Sequence, residues 1–266
     1  MRIAFIGGGN MGEAILSAVL SRGLARQEEI SLSDISKERL DSLKKKYGIR
    51  VTISNADAVP GSEVVLLAIK PQNLTEVAAS MKNCFKPEQL VLSIIAGARL
   101  KTLRQGLNHN RIVRSMPNTP AQIGEGITMW VTTAEVIAEQ KDKARAILGV
   151  MGKEIYVTNE ALLDMATAVS GSGPAYVFLF MEALLMAAER IGLAPDTAKA
   201  LVFQTVLGSA RFAEKSDKTL AELRRMVTSP GGTTAEALAR FEKGGFTEIV
   251  YEAILAAYNK SKSLGA

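Results

Sequence analysis

The sequence predicts an α/β protein: an N-terminal doubly wound sheet followed by an all-helical domain. Three observations carry this. Short apolar runs such as Val64-Val65-Leu66-Leu67-Ala68-Ile69 and Leu90-Val91-Leu92-Ser93-Ile94-Ile95 recur up to about residue 158. Continuous apolar runs of that length mark strands covered on both faces, as in parallel sheets. Helical patterns, Ser36–Tyr47 and Asn73–Met81 among them, alternate with these runs, which is the order of a sheet wound with helices on both faces. After Asn159 the β-rich segments stop and long helical patterns take over.

Taken in order, the expected strands are Arg2–Ile6, Ile30–Ser33, Glu63–Ile69, Leu90–Ile95, Arg111–Met116 and Ile127–Val131, with Glu154–Val157 after a helix over Ala134–Met151. The expected C-terminal helices are Ala161–Val169, Pro174–Ile191, Pro195–Lys215, Leu220–Val227, Thr234–Lys243 and Thr247–Ser263, separated by glycines that punctuate helical patterns. Two domains follow, 1–159 and 160–266. The stretch Ala175–Ala188 is apolar nearly all round, and such a helix must be buried on every side. A small domain has limited room for that, so a subunit interface is expected; a central helix of a monomeric bundle is the other reading.

The first twelve residues are the most specific. Ile3–Ile6 reads as a strand, Gly7, Gly9 and Gly12 fall at G-x-G-x-x-G spacing, and Glu13–Leu24 continues as a helix. That context is what a Rossmann-type dinucleotide-binding fingerprint requires. Gly7 allows the tight turn, Gly9 lets a pyrophosphate approach the backbone, and Gly12 lets helix and strand pack closely. The helix start, with Asn10 and Met11, offers free N–H groups to phosphates. A glycine-rich turn that binds nothing is the alternative.

Composition narrows the field. Hydrophobic content is 47%, charged content 22% and aromatic content 5%, with one Trp. These values suit a globular protein and disfavour a stacking platform for single-stranded nucleic acid. Residues 1–159 hold 21 Lys and Arg against 15 Asp and Glu, whereas 160–266 hold 11 against 12. The basic half is the one with the phosphate motif, which suits an anionic ligand. No dense basic run appears, so nucleic acid is discounted. Cys84 and His109 are the sole cysteine and histidine, so no intrachain disulfide and no Cys/His metal cluster is expected. Asn108 and Asn110 flank His109, which reads as a surface loop residue rather than a base. The first apolar segment enters the glycine loop, so no signal peptide is expected. Glu182, Glu189 and Arg190 interrupt the most apolar helix, so no membrane span is expected and the cytoplasm is the predicted compartment.

In doubly wound sheets, ligands sit at the C-terminal ends of strands. Three turns fall there. Ala68-Ile69-Lys70-Pro71-Gln72 turns sharply because Pro71 excludes helical geometry at Lys70. Ala96-Gly97 allows backbone to approach a flat ring. Met116-Pro117-Asn118-Thr119-Pro120 is stiff, and Asn118 offers a donor and acceptors to a nicotinamide amide or a substrate. Asp34 ends the second strand, where a carboxylate hydrogen-bonds the adenosine ribose of NAD and repels the 2′-phosphate of NADP. Ser36, Lys37 and Arg39 nearby soften that preference. Asp34 also reads as a turn residue, with Ser36 the better cap for the helix beginning at Lys37. In the helical half, Ser170-Gly171-Ser172-Gly173-Pro174 reads as a loop before a long helix. Ser229-Pro230-Gly231-Gly232-Thr233-Thr234 reads as a carboxylate cradle at a helix start, or as an N-capping turn with Thr233 or Thr234 as cap.

Across essentially its whole length the chain resembles the pyrroline-5-carboxylate reductases. The resemblance rests on GGGNMG at 7–12, AIKPQ at 68–72, SIIAG at 93–97, RSMPNTPA at 114–121, SGSGPAY at 170–176 and SPGGTTAEAL at 229–238. It implies reduction of L-1-pyrroline-5-carboxylate to L-proline with NADPH or NADH, and a C-terminal domain that interlocks into homodimers, which often assemble further, commonly to decamers. It places the substrate carboxylate on Ser229, Gly231, Gly232, Thr233 and Thr234, with Thr234 against the ring nitrogen as a positioning group. A β-hydroxyacid dehydrogenase of similar layout needs a lysine on the first C-terminal helix, and Ala161–Leu185 contains none. A nucleotide sensor without turnover has no need of the second anion cradle.

Overall fold

The computed structural model describes residues 1–264. The chain forms two compact units: Met1–Ser172 together with the segment from Ala257 onward, and Gly173–Ala256. The first unit runs β1 (Ile3–Ile6), α1 (Asn10–Ser21), β2 (Ile30–Ser33), α2 (Lys37–Tyr47), β3 (Arg50–Thr52), α3 (Asn55–Ala58), β4 (Val64–Leu67), α4 (Leu74–Met81), β5 (Leu90–Ser93), α5 (Leu100–Leu107), β6 (Ile112–Met116), β7 (Gly126–Thr132), α6 (Ala138–Gly149), β8 (Gly152–Tyr156) and α7 (Leu162–Ala166).

The described strands make one sheet in the order β3-β2-β1-β4-β5-β6-β7-β8. From β3 to β6 all pairs are parallel, and the order reverses between β1 and β4, the switch point where such sheets bind ligands. The expectation of a parallel sheet fails at β7, which pairs antiparallel to β6 before β8 returns to parallel pairing with β7. Residues 117–125 are too few for the crossover that a parallel pair needs.

β1, β4 and β5 are buried along their whole length, as their apolar runs require, whereas β3 and β8 at the ends of the sheet are partly exposed. Along β1, Ile3 and Phe5 join one core layer with Leu16, Leu32, Leu66 and Trp130. Ala4 and Ile6 join the other, with Val65, Leu67, Val91 and Leu103. Successive side chains alternate across the pleat, so one strand feeds both layers. Ser36 caps α2, its Oγ accepting from Arg39 N at 3.2 Å. His109 corrects the sequence reading: it is buried, and Nε2 lies 2.8 Å from the Gln89 carbonyl, so that nitrogen carries the proton. Loss of hydration lowers its pKa. The Ser170–Pro174 loop is also corrected. Thr167–Gly171 is a π-helical turn, closed by Ser172 N to Thr167 O at 2.8 Å, and Gly173 begins the next helix.

The second unit contains α8 (Gly173–Arg190), α9 (Pro195–Lys215), α10 (Leu220–Met226), α11 (Thr233–Lys243) and the first part of α12 (Phe246–Leu264). Within it α8 and α9 pack together. No residue of α8 is buried; Phe178 is 57% and Leu179 67% exposed. An apolar face that large on one chain marks an interaction surface. The stretch Leu162–Arg190 is, by length and composition alone, long and apolar enough to cross a membrane, with a mean hydropathy of 1.3 in its most apolar window.

Candidate active site

Four turns leave the same edge of the sheet, because β1, β4, β5 and β6 are parallel and each ends there. Gly7 follows β1, Ala68 follows β4, Ile94–Gly97 follows β5, and Pro117–Asn118 follows β6. The sequence reading expected three of these turns to share an edge with the glycine loop, and the topology places them so.

The glycine loop fits a dinucleotide. Gly7 has φ +101°, and a Cβ there would lie 2.5 Å from the Ala68 carbonyl oxygen. At Gly12 a Cβ would lie 2.5 Å from Gly7 O and 3.2 Å from Ala68 Cβ. These two glycines are required by the protein's own packing. Gly9 differs: a Cβ there would meet nothing within 4 Å, so its bare face is open to a ligand. No side chain caps α1, and the first-turn amides, Asn10, Met11 and Gly12 among them, lack intrahelical acceptors. Asn10 is exposed, while Met11 packs against the core. An uncapped helix start beside a side-chain-free backbone offers N–H donors that suit a phosphate.

Asp34 is built into this loop. Its Oδ2 accepts from Gly8 N at 2.7 Å and its Oδ1 from Ser36 N at 2.9 Å. Arg39 grips the same residue from its other side, Nε donating to Gly8 O at 2.5 Å. The Arg39 guanidinium also pairs with Glu13, in the first turn of α1. Glu13 accepts further from Lys46 Nζ at 2.8 Å and from the Tyr47 hydroxyl at 2.9 Å. Hydrogen bonding from Lys46, then Arg39 and Tyr47, outweighs burial and holds the Glu13 carboxyl at about 2, against an ordinary 4.5. Sequence reasoning missed Glu13. Its local signal is only an acid in the first turn of a helix, where the dipole favours one.

Lys70 is extended, with φ −71° and ψ 146°, as the following proline demands. Lys70 and Pro71 are exposed, and Ala68 is half-buried beside Gly7 and Gly12. Gly97 has φ +75° and is buried, and a Cβ there would come 3.0 Å from Leu264 Cβ. A cleft of about 110 Å³ is lined by Pro71, Leu74, Ala96, Gly97 and Leu264 among others. The close neighbour of Gly97 is therefore the end of α12. Asn118 Oδ1 accepts from Ile127 N at 3.0 Å, so this oxygen holds the loop together. Larger clefts exist, but the one of about 260 Å³ lined by Arg2, Glu63 and Lys143 lies at the opposite ends of the strands, where Lys143 is paired with Glu63 at 2.8 Å.

Behind this edge lies a buried ionic cluster. Arg114 on β6 is 3% exposed and pairs with Glu160 at 2.8 Å and Asp164 at 3.2 Å. Asp164 also accepts from Ser261 Oγ at 3.1 Å, and Glu160 from Leu100 N at 2.8 Å. A Cβ on Gly171 would lie 2.7 Å from Met116 Cε at the end of the same strand.

In the second unit, Ser229–Thr234 forms the entry to α11. Gly231 has φ +68°, and Gly232 N donates to Ser229 O at 3.1 Å. A Cβ on Gly232 would lie 2.6 Å from Ser229 Oγ. Gly232 itself is the N-cap, and no side chain caps the helix. Capping by Thr233 or Thr234, the alternative to a carboxylate cradle, does not occur. The first-turn amides and both hydroxyls are therefore not consumed by a cap.

Two family models match the chain. Residues 160–264 match "Pyrroline-5-carboxylate reductase dimerisation", and residues 2–97 match "NADP oxidoreductase coenzyme F420-dependent". A pyrroline-5-carboxylate reductase of Pseudomonas aeruginosa is 41% identical over 264 residues, 99% of this chain and 96% of the relative. The crystal structure of such a reductase from Coxiella burnetii has a TM-score of 0.90 and 38% identity, covering 100% of this chain and 98% of its own. The Plasmodium falciparum enzyme, solved with NADP bound, has a TM-score of 0.91 and 31% identity, with the same coverage.

Proposed function

The chain belongs to the pyrroline-5-carboxylate reductase family, and from that we propose how its own residues serve the reaction. It is an NAD(P)H-dependent oxidoreductase that reduces L-1-pyrroline-5-carboxylate to L-proline, in proline biosynthesis.

Gly7, Gly9, Asn10, Met11 and Gly12 would hold the cofactor pyrophosphate, and Asp34 the adenosine ribose. Ala68, Lys70, Pro71, Ala96, Gly97 and Asn118 would line the nicotinamide edge. When bound, the reduced nicotinamide supplies a hydride to the C=N carbon of the substrate. The substrate is a cyclic imine, which accepts hydride readily once its nitrogen is protonated, so the protein's main task is alignment in a dry site. Ser229, Gly231, Gly232, Thr233 and Thr234 would hold the carboxylate through amides and hydroxyls. Thr234 would orient the ring nitrogen. A threonine hydroxyl is too weak an acid to supply a proton alone, so Thr234 positions the nitrogen and water delivers the proton.

The observation that carries this assignment of roles is the uncapped start of α11, whose donors remain available to an anion. The exposed apolar face of α8 supports a homodimer, and further association of dimers, to a decamer, is the expected assembly. The small soluble substrate supports a cytoplasmic enzyme with no membrane or nucleic-acid partner. The test is NADH and NADPH oxidation by purified protein with and without pyrroline-5-carboxylate. Substrate-dependent oxidation is expected; none with either cofactor overturns the reading. Light scattering on the same sample gives the assembly.

A further inference from the structure

We propose that Glu13 selects the cofactor: by holding Arg39 and Lys46 on its own carboxylate, it withholds both cations from a 2′-phosphate, so the enzyme favours NADH over NADPH. The inference rests on the placement of the adenosine ribose at Asp34.

Asp34 and Arg39 grip the two sides of one residue, Asp34 at Gly8 N (2.7 Å) and Arg39 at Gly8 O (2.5 Å). A phosphate on the 2′-oxygen would enter beside both. Asp34 meets it with like charge. Arg39 is the residue able to offset that charge, because a guanidinium grips phosphate through paired donors. Its free face is already turned to Glu13, and its Nε to Gly8. Lys46 is drawn to the same carboxylate at 2.8 Å, and the Tyr47 hydroxyl supplies a third donor at 2.9 Å. One half-buried carboxylate thus collects three donors carried on α2, although it sits on α1. A 2′-phosphate that took Arg39 through its Nε–Nη2 edge would have to break this set. Hydrogen bonds from Lys46, Arg39 and Tyr47 keep the Glu13 carboxyl below the usual carboxylate range, so it meets these cations in its charged form.

The Glu13→Gln variant keeps the shape of the side chain and removes the charge that holds the cations. The experiment is calorimetric titration of NAD⁺ and NADP⁺ into the intact apo-protein at fixed salt, which needs no turnover. The wild type is expected to bind NAD⁺ at least about tenfold more tightly, the equivalent of about 1.4 kcal/mol. In Glu13→Gln the NADP⁺ affinity rises about five- to tenfold, and the affinity for NAD⁺, which has no 2′-phosphate to recruit the released cations, changes less than about twofold. An unchanged ratio in that variant, or a wild type that prefers NADP⁺, overturns the proposal while leaving the reductase reading intact. A wild type that binds neither dinucleotide overturns both. Arg39→Gln gives a measurement independent of how Glu13→Gln folds. If Arg39 is withheld, the wild-type ratio survives its removal; a selective loss of NADP⁺ affinity shows that Arg39 grips the phosphate and refutes the clamp.

Discussion

Asp164→Ala should destabilise the protein more than any exposed charge deletion, and its cost can be worked from the Arg114 cluster. Arg114 Nη2 lies 3.2 Å from Asp164 Oδ1, with both side chains nearly inaccessible, at 3% and 6% exposure. At an effective dielectric of about 20, charges at that separation attract by about 5 kcal/mol. Part of this offsets the dehydration of Asp164, which the substitution also removes. Glu160 remains at 2.8 Å and shields the stranded guanidinium, since it is itself 29% exposed. The expected loss is therefore about 2–3 kcal/mol, below the full cost of orphaning a buried charge. For a chain of this length that lowers Tm by about 5–10 °C. Asp164→Asn, which keeps an acceptor for Ser261, should lose about half as much. Glu28→Gln is the control, because the Glu28–Arg26 pair is 65% and 74% exposed and should contribute less than about 0.5 kcal/mol. The assay is thermal and urea unfolding at one protein concentration, because association shifts apparent stability. If Asp164→Ala costs no more than Glu28→Gln, the cluster does not contribute as argued.

Three further outcomes are expected. Gly12→Ala should lower Tm, since its Cβ would meet Gly7 O at 2.5 Å, whereas Gly9→Ala should leave Tm unchanged yet weaken dinucleotide binding about tenfold or more; equal effects on Tm would remove the distinction between the two. Thr234→Ala should lower kcat about tenfold or more with an unchanged circular dichroism spectrum, the loss of one hydrogen bond to a charged group; wild-type turnover would take Thr234 out of the site. His109 is buried with a depressed pKa, so the unfolded chain binds a proton that the folded one refuses. Stability from this group is complete above about pH 6.5 and falls as pH drops below it, and His109→Gln should abolish that part of the slope in unfolding measured against pH.

What could be read in advance follows physical lines. Val64–Leu67 and Leu90–Ser93 were legible because a strand covered on both faces reads as a near-continuous apolar run. Arg50–Thr52 was not, because a three-residue strand at the sheet's edge carries no such run. Leu100–Leu107 lies among the helices expected between the strands, and Leu100, Leu103 and Leu107 recur at helical spacing, with Leu103 and Leu107 buried. The asparagines around His109 signalled exposure, yet its ring finds the Gln89 carbonyl and stacks near Phe85 at 5.2 Å. Gly171 read as a helix breaker, whereas its Cβ is excluded by Met116 from a distant strand. The glycine loop and Asp34 announce themselves through fixed local spacing. The Glu13 cluster does not, because its partners lie 26 to 34 residues away and only the folded sheet unites them.

The ends of the sheet bear on how copies of this chain meet. A sheet that stops at β3 and β8 leaves two rows of unpaired backbone groups, each a template on which another molecule could add a strand. At one end the strand is only three residues long and begins with an exposed arginine, Arg50. At the other, Lys153 stands exposed on β8. Short length and charge both discourage strand-on-strand growth, whose repetition would make a fibre rather than a closed particle. Exposed apolar surface lies instead on α8, α9 and the first part of α12, in a unit that contains no strand among its described residues. Association is thereby steered to side-chain packing between helices, which can close on itself, and away from an open-ended ribbon.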